Sequence, residues 1–225
     1  GTPVEGMRTV TSVKDAGEAP RMMILGFKPQ QLDEVAGELA PLIATSTVIV
    51  SMLAGVEAAS LRARFARGTI VRITPNLPVS IRRGVVALHS DGIEEASGKR
   101  LSDLFSALGF AMWTDSEKTL SAIGSVAGAG PAYVARFIAA LASAGGSLGL
   151  PDELAATGAR GTVLGTAWMG ASSGESMDAI AAHVASPNGT TEAGLAVLDS
   201  DGALERLIAQ TIEAAAARGR SLAEA

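Results

Sequence analysis

The 225-residue chain has no cysteine, which excludes disulfides, thiolate catalysis and cysteine-ligated metals. Its only histidines, His89 and His183, are far apart, so no metal site is expected. Basic residues are few and scattered. Eighteen lysines and arginines stand against 23 acids, a formal charge of −5. No basic footprint for nucleic acid or an anionic membrane is present. The opening Gly1-Thr2-Pro3-Val4-Glu5 lacks the basic and apolar regions of a secretory signal. The longest apolar run, Ala122 to Leu150, is interrupted by six glycines, Pro131 and Arg136. It reads as a tightly packed helix pair and not as a membrane span. These absences describe a soluble cytoplasmic protein with neither nucleic-acid nor membrane partners.

At 48% hydrophobic residues the chain can form a sizeable core. Its first half alternates strand and helix. Met22 to Gly26, Thr47 to Ser51 and Thr69 to Thr74 are short apolar or β-branched runs. Helical spacing follows the first two, over Gln31 to Ile43 and Val56 to Arg67. Val85 to His89 and Phe110 to Trp113 are further strands flanking a helix from Ile93 to Ala107. Such alternation predicts right-handed βαβ units and a mostly parallel α/β sheet. No strand pattern follows Trp113. Asp115 is placed to cap a helix, and four more helical segments rich in alanine and glycine complete the chain. Small residues bury little area each, so these helices favour intertwined dimerisation.

In an open parallel sheet, ligands bind at the carboxyl ends of the strands. Three consecutive strand ends here carry Gly26-Phe27-Lys28-Pro29-Gln30, Ser51-Met52-Leu53-Ala54-Gly55 and Thr74-Pro75-Asn76-Leu77-Pro78. Lys28 is either a solvated charge or a ligand group, and Asn76 either a turn residue or a contact. The coincidence at three ends points to one crevice. A pyrophosphate-binding glycine loop belongs between a first strand and a first helix, and none is found. Gly128-Ala129-Gly130-Pro131 follows a helical pattern and reads as a helix break. Gly1 to Val13 contains no strong first strand. Either the fold does not bind a dinucleotide, or a first βαβ unit is absent from this sequence.

A second candidate lies at Ser186-Pro187-Asn188-Gly189-Thr190-Thr191. Proline ends one helix, Asn-Gly turns, and a threonine is placed to cap the next. The segment is either a plain connection between helices or, through its free N–H groups and helix dipole, a site for a small carboxylate.

Assembled in order, these blocks resemble the pyrroline-5-carboxylate reductase family over residues 13 to 220. Phe27 to Gln30 is similar to its V-K-P segment, Ser51 to Val56 to S-x-x-A-G-V, and Arg72 to Pro78 to R-x-M-P-N-x-P. Ser125 to Tyr133 and Leu148 to Pro151 resemble S-G-S-G-P-A-Y and M-G-L-P, and Ser186 to Thr191 resembles S-P-G-G-T-T. The resemblance implies a Rossmann-type domain over residues 1–115, lacking its first βαβ unit here. It implies an all-helical substrate-binding and dimerisation domain over 116–225. The cofactor would be NADP(H) or NAD(H), and the assembly a homodimer or a ring of dimers. By motif, Gly26, Phe27, Lys28, Pro29, Met52, Leu53 and Ala54 contact the cofactor, with Asn76 at the nicotinamide end and His183 a further contact. Ser186, Gly189, Thr190 and Thr191 hold the small-molecule substrate, and Thr191 is catalytic. The family's glycine loop and its NADH/NADPH-selecting loop are missing, which suggests part of a longer chain. Asn188 stands where the family has glycine, and should require a backbone conformation that asparagine tolerates, such as αL. The rival readings are a related imine or β-hydroxyacid reductase, and a non-catalytic dimerisation protein. Lysine is absent after Lys118, which counts against the hydroxyacid enzymes.

Overall fold

The β-branched runs of the first half build a five-stranded sheet of order β1-β2-β3-β4-β5 in the computed structural model, which describes residues 6–223. β1 (Met22–Leu25), β2 (Val48–Ser51) and β3 (Thr69–Pro75) run parallel, with Leu25 beside Ser51 and Ser51 beside Arg72. α1 (Leu32–Leu39) and α2 (Ala58–Arg64) form the two crossovers. Right-handed crossovers that step in one direction put both helices on the same face. The core shows this face: Leu25, Ile49 and Ile70 pack with Leu32 and Ala36 of α1 and Ala58 and Leu61 of α2. Side chains alternate along a strand. Val50 and Val71 therefore face the other way, packing with Val86, Leu88, Leu101 and Phe105. Ile49, Val50 and Val71 are fully buried, each such side chain worth about 1.5–3 kcal/mol.

Helix alternation fails once. Between β3 and β4 (Gly84–His89) there is only a 3-10 turn, Leu77–Ile81. That is too short for a parallel crossover, so β4 runs antiparallel to β3. The turn ends on Arg82, whose φ of 58 lets the chain reverse. α3 (Glu95–Ser106) then returns the chain to β5 (Gly109–Trp113), parallel to β4. Gly109 cannot be replaced cheaply: its φ is 135, and a Cβ there would meet the Gly84 backbone.

His89 of β4 is buried and structural. Its Nδ1 lies 3.2 Å from the Thr114 carbonyl oxygen and its Nε2 3.1 Å from Asp91 Oδ1. Asp91 also accepts from Arg62 of α2 at 3.0 Å. The Arg62 guanidinium, followed by His89, holds the Asp91 carboxyl below the usual carboxylate range.

The helical half begins with Ser116, not Asp115, at the N-cap. The Ser116 hydroxyl accepts from the Thr119 N–H at 3.1 Å. Asp115 instead accepts the Thr119 hydroxyl at 2.6 Å, which holds its carboxyl below the ordinary range. α4 (Glu117–Ile123) buries Leu120 and packs on β3 and β4. A π-helical turn, Gly124–Gly128, follows where a helix break was expected. The predicted helix pair over residues 122–150 is therefore one broken helical run, ending in α5 (Gly130–Ser147). The partner of α5 is α6 (Asp152–Ser173), where a Cβ on Gly145 would lie 3.5 Å from Ala155 Cβ. α7 (Met177–Val184), α8 (Thr190–Leu198) and α9 (Ala203–Ala223) complete the described residues.

By internal packing the chain forms two units. One comprises the sheet and its helices up to Gly128, with the end of α9 from Ala216. The other is Ala129–Ala215. The strand pattern stops at Trp113, yet α4 and the π turn still belong to the sheet unit. In the second unit, Ala155, Ala159 and Ile180 are buried, while Phe137, Leu141, Leu164 and Met169 are 40–59% exposed. By length and composition alone Glu117–Ser147 would also suit a membrane. That run nevertheless opens on an ion-paired glutamate and includes the glycine-rich π turn.

Candidate active site

The parallel register carries the ends of β1, β2 and β3 to one side of the sheet. After β1, Gly26 and Phe27 lead to Lys28, and Pro29 opens a 3-10 turn, Pro29–Gln31. The Lys28 N–H donates to Gln31 Oε1 at 3.3 Å, and the Gln31 N–H donates to the Lys28 carbonyl at 2.9 Å. This reciprocal staple fixes the backbone and leaves the Lys28 side chain exposed. The Met52 N–H donates to the Leu25 carbonyl at 3.0 Å, tying the second strand end to the first. A Cβ on Gly26 would come within 2.9 Å of Met52 Cε, so glycine leaves the space that the methionine occupies.

The predicted contacts do not all have free side chains. Leu53 is 3% exposed in the core, and Phe27 packs against the same cluster. Both offer backbone rather than side chain to a ligand. Met52, Ala54 and Lys28 are exposed.

Asn76 is committed at both ends of its amide. Oδ1 accepts from the Val85 N–H at 2.8 Å, and Nδ2 donates to the Ala127 carbonyl at 3.1 Å. A donor on one side and an acceptor on the other fix the orientation of the amide. The side chain joins the β3–β4 turn to the π turn. Between them sits Thr74, whose methyl would lie 3.5 Å from a Cβ on Gly124.

A pair of charges ties β3 to α4. Arg72, in the middle of β3, is 9% exposed, and its guanidinium donates to Glu117 Oε1 at the start of α4. The same carboxylate oxygen accepts the Ala58 N–H of α2 at 2.8 Å. The sequence motifs did not single out Glu117. The available signal was the arginine itself: a charge within an apolar strand demands a partner of opposite sign.

In the helical unit, Ser186 to Thr191 forms the expected turn, and Asn188 has the anticipated left-handed backbone, φ 58. The cap differs from expectation. Gly189 is the N-cap of α8 and no threonine side chain caps the helix. Instead Glu192, in the first turn, reaches back to accept the Asn188 N–H. The Gly189 N–H donates to the Ser186 carbonyl at 2.9 Å. A Cβ on Gly189 would meet that carbonyl oxygen at 2.9 Å and the Ser186 hydroxyl still closer, so the turn requires glycine. Thr190 and Thr191 are thus the first two helical residues, Thr190 exposed and Thr191 half-buried. Their N–H groups have no carbonyl within the helix to bond. His183, near the end of α7, is exposed with Nδ1 3.8 Å from Glu175 Oε1.

The strand ends fit the usual place of a dinucleotide in an open parallel sheet. Three parallel strand ends are aligned, and the glycine at the first is exposed. The described residues contain no glycine-rich strand-to-helix turn for the pyrophosphate.

Residues 117–222 match the family described as pyrroline-5-carboxylate reductase dimerisation. The pyrroline-5-carboxylate reductase of Pseudomonas aeruginosa is 37% identical over 205 residues, covering 90% of this chain and 75% of its own. That of Pisum sativum is 33% identical and covers 96% and 79%. The solved Coxiella burnetii pyrroline-5-carboxylate reductase has 30% identity and a TM-score of 0.91, covering 96% of this chain and 81% of its own. The Plasmodium falciparum enzyme, solved with NADP bound, shares the fold at a TM-score of 0.84 and 23% identity. With a relative this similar over three quarters of its length, and the motif blocks placed at strand ends and a helix start, this oxidoreductase chain belongs to the pyrroline-5-carboxylate reductase family.

Proposed function

We propose that this protein reduces Δ1-pyrroline-5-carboxylate to L-proline with NADPH or NADH, the last step of proline synthesis. The observation that carries the proposal is the start of α8. Two threonines with unpaired helical N–H groups follow a glycine that cannot be replaced without meeting Ser186. When bound, the reduced nicotinamide supplies a hydride for the imine carbon. Gly26, Phe27, Lys28, Pro29, Met52, Leu53 and Ala54 would hold the cofactor, largely through backbone, with Asn76 at the nicotinamide end. By motif, His183 would be a further cofactor contact.

Ser186, Gly189, Thr190 and Thr191 would receive the substrate. The N–H groups of the first turn of α8 clamp its carboxylate, aided by the helix dipole. The Thr191 hydroxyl hydrogen-bonds the ring nitrogen. A threonine hydroxyl is a poor acid, and Glu192 spends its carboxylate on the Asn188 N–H. The substrate is therefore bound as the protonated iminium, or protonated through water. On this reading residues 1–115 would serve the cofactor and 116–225 the substrate and dimerisation, although α4 and the π turn pack with the sheet. A steady-state assay of pyrroline-5-carboxylate with each reduced nicotinamide tests this reading. Consumption of either cofactor is expected, and consumption of neither contradicts it.

The helical unit also supports a homodimer. Phe137 and Leu141 lie one turn apart on α5, both 40–50% exposed, and Leu164 and Met169 of α6 are more exposed still. A water-facing set of this kind suits a second copy. Light scattering of the purified protein should give at least twice the chain mass, and a monomer mass would refute the dimer.

A further inference from the structure

We propose that Glu117, paired with Arg72, is a positioning residue for hydride transfer, a role that rests on the reductase reading. One carboxylate holds three elements that each lead to the crevice. Through Ala58 it grips the start of α2, four residues past Ala54 at the second strand end. Through Arg72 it grips β3, four residues before Asn76. From its own place at the start of α4 it sets where the π turn Gly124–Gly128 begins. That turn returns to β3 through the bond from Asn76 to the Ala127 carbonyl. Two clamps, Arg72–Glu117 and Asn76–Ala127, therefore bracket Thr74 and lock the π turn to the strand.

The Arg72–Glu117 pair is only partly buried, and such a pair contributes little net stability compared with an apolar pair of the same volume. It does impose one arrangement, since any shift of α4 leaves a charge and the Ala58 N–H without partners. The crevice needs such an arrangement. Misplacement of a cofactor loop by about 1 Å, from a change remote from the chemistry, can reduce rate roughly 100-fold.

The test compares the wild type with Glu117→Gln and with the apolar pair Arg72→Met/Glu117→Leu. Glu117→Gln keeps an acceptor for Ala58 but loses the charge. The apolar pair roughly keeps the volume but also leaves the Ala58 N–H without its acceptor, so its thermal stability is measured alongside. Three readouts are taken: kcat with KM for each substrate, NADPH affinity by fluorescence titration, and hydrogen exchange over residues 52–58 and 124–128. For the apolar pair, kcat is expected to fall about 10- to 100-fold, with weaker NADPH binding and an unchanged KM for pyrroline-5-carboxylate. Exchange should quicken in both segments and not in β2. Glu117→Gln should lose less on every readout. Wild-type kinetics and exchange in the apolar pair, at any thermal stability, would overturn the proposal. If the wild type reduces no pyrroline-5-carboxylate, the reductase reading fails separately. Exchange and NADPH affinity then still decide the positioning role, which unchanged values in the apolar pair overturn.

Discussion

Thr191→Ala is expected to lower kcat about 10- to 1,000-fold, the range for losing one positioned hydrogen-bonding group at a reacting centre. The reason is its place in α8. A threonine at the cap position would spend its hydroxyl on the backbone of the helix. Here Gly189 is the cap and Glu192 returns to the turn, so Thr191 is the second helical residue and is not needed as a cap. Its removal should therefore cost little stability and much turnover. Thr191→Ser, which keeps the hydroxyl, should recover most of the rate. NADPH affinity, measured by fluorescence titration, should be the same in all three proteins. A Thr191→Ala enzyme with wild-type kcat would remove this residue from the chemistry. A large fall in denaturation midpoint would show that it is structural instead.

Asn76 predicts the opposite balance. Asn76→Ala strands the Val85 N–H and the Ala127 carbonyl, and should destabilise the protein by about 2 kcal/mol, within the usual cost of unsatisfied buried groups. Asn76→Asp should be worse at neutral pH. It keeps an acceptor for Val85 but aims a carboxylate oxygen at the Ala127 carbonyl, where the native amide donates. Protonating that carboxyl restores a donor, so the deficit of Asn76→Asp relative to Asn76→Ala should shrink as pH falls. Urea midpoints of the three proteins at neutral and acid pH check this ordering. Equal midpoints would show that the amide does not hold the π turn.

Much of the architecture is legible from local residue patterns. The β-branched runs at Thr47 to Val50 and Thr69 to Ile73 mark strands because both faces of this sheet are covered. Glycines at Gly124, Gly128 and Gly130 mark the interruption between α4 and α5, although its π form is not a pattern that residue type alone dictates. The left-handed Asn188 follows from asparagine standing before glycine in a tight turn.

Other features depend on distant partners and could not be read locally. Glu117 meets Arg72 from forty-five residues away, and its role appears only when β3 and α4 are adjacent. The antiparallel β4 was obscured because Val85 to His89 looks like any other buried strand. The deciding fact is the short, proline-containing link before it. Caps were misplaced at both Asp115 and the threonines. Each neighbourhood holds several capable side chains, and the backbone chooses among them. Leu53 matched its motif, yet its side chain belongs to the core, which only packing reveals.

The central claim is that this chain reduces the imine of pyrroline-5-carboxylate with a reduced nicotinamide. Its most direct test is to incubate the protein with pyrroline-5-carboxylate and either NADPH or NADH, following loss of reduced-nicotinamide absorbance and formation of proline. The account predicts that one cofactor at least is oxidised, with one proline formed per cofactor consumed, and that Thr191→Ala slows both about 10- to 1,000-fold. Oxidation of neither cofactor by a folded protein would contradict it.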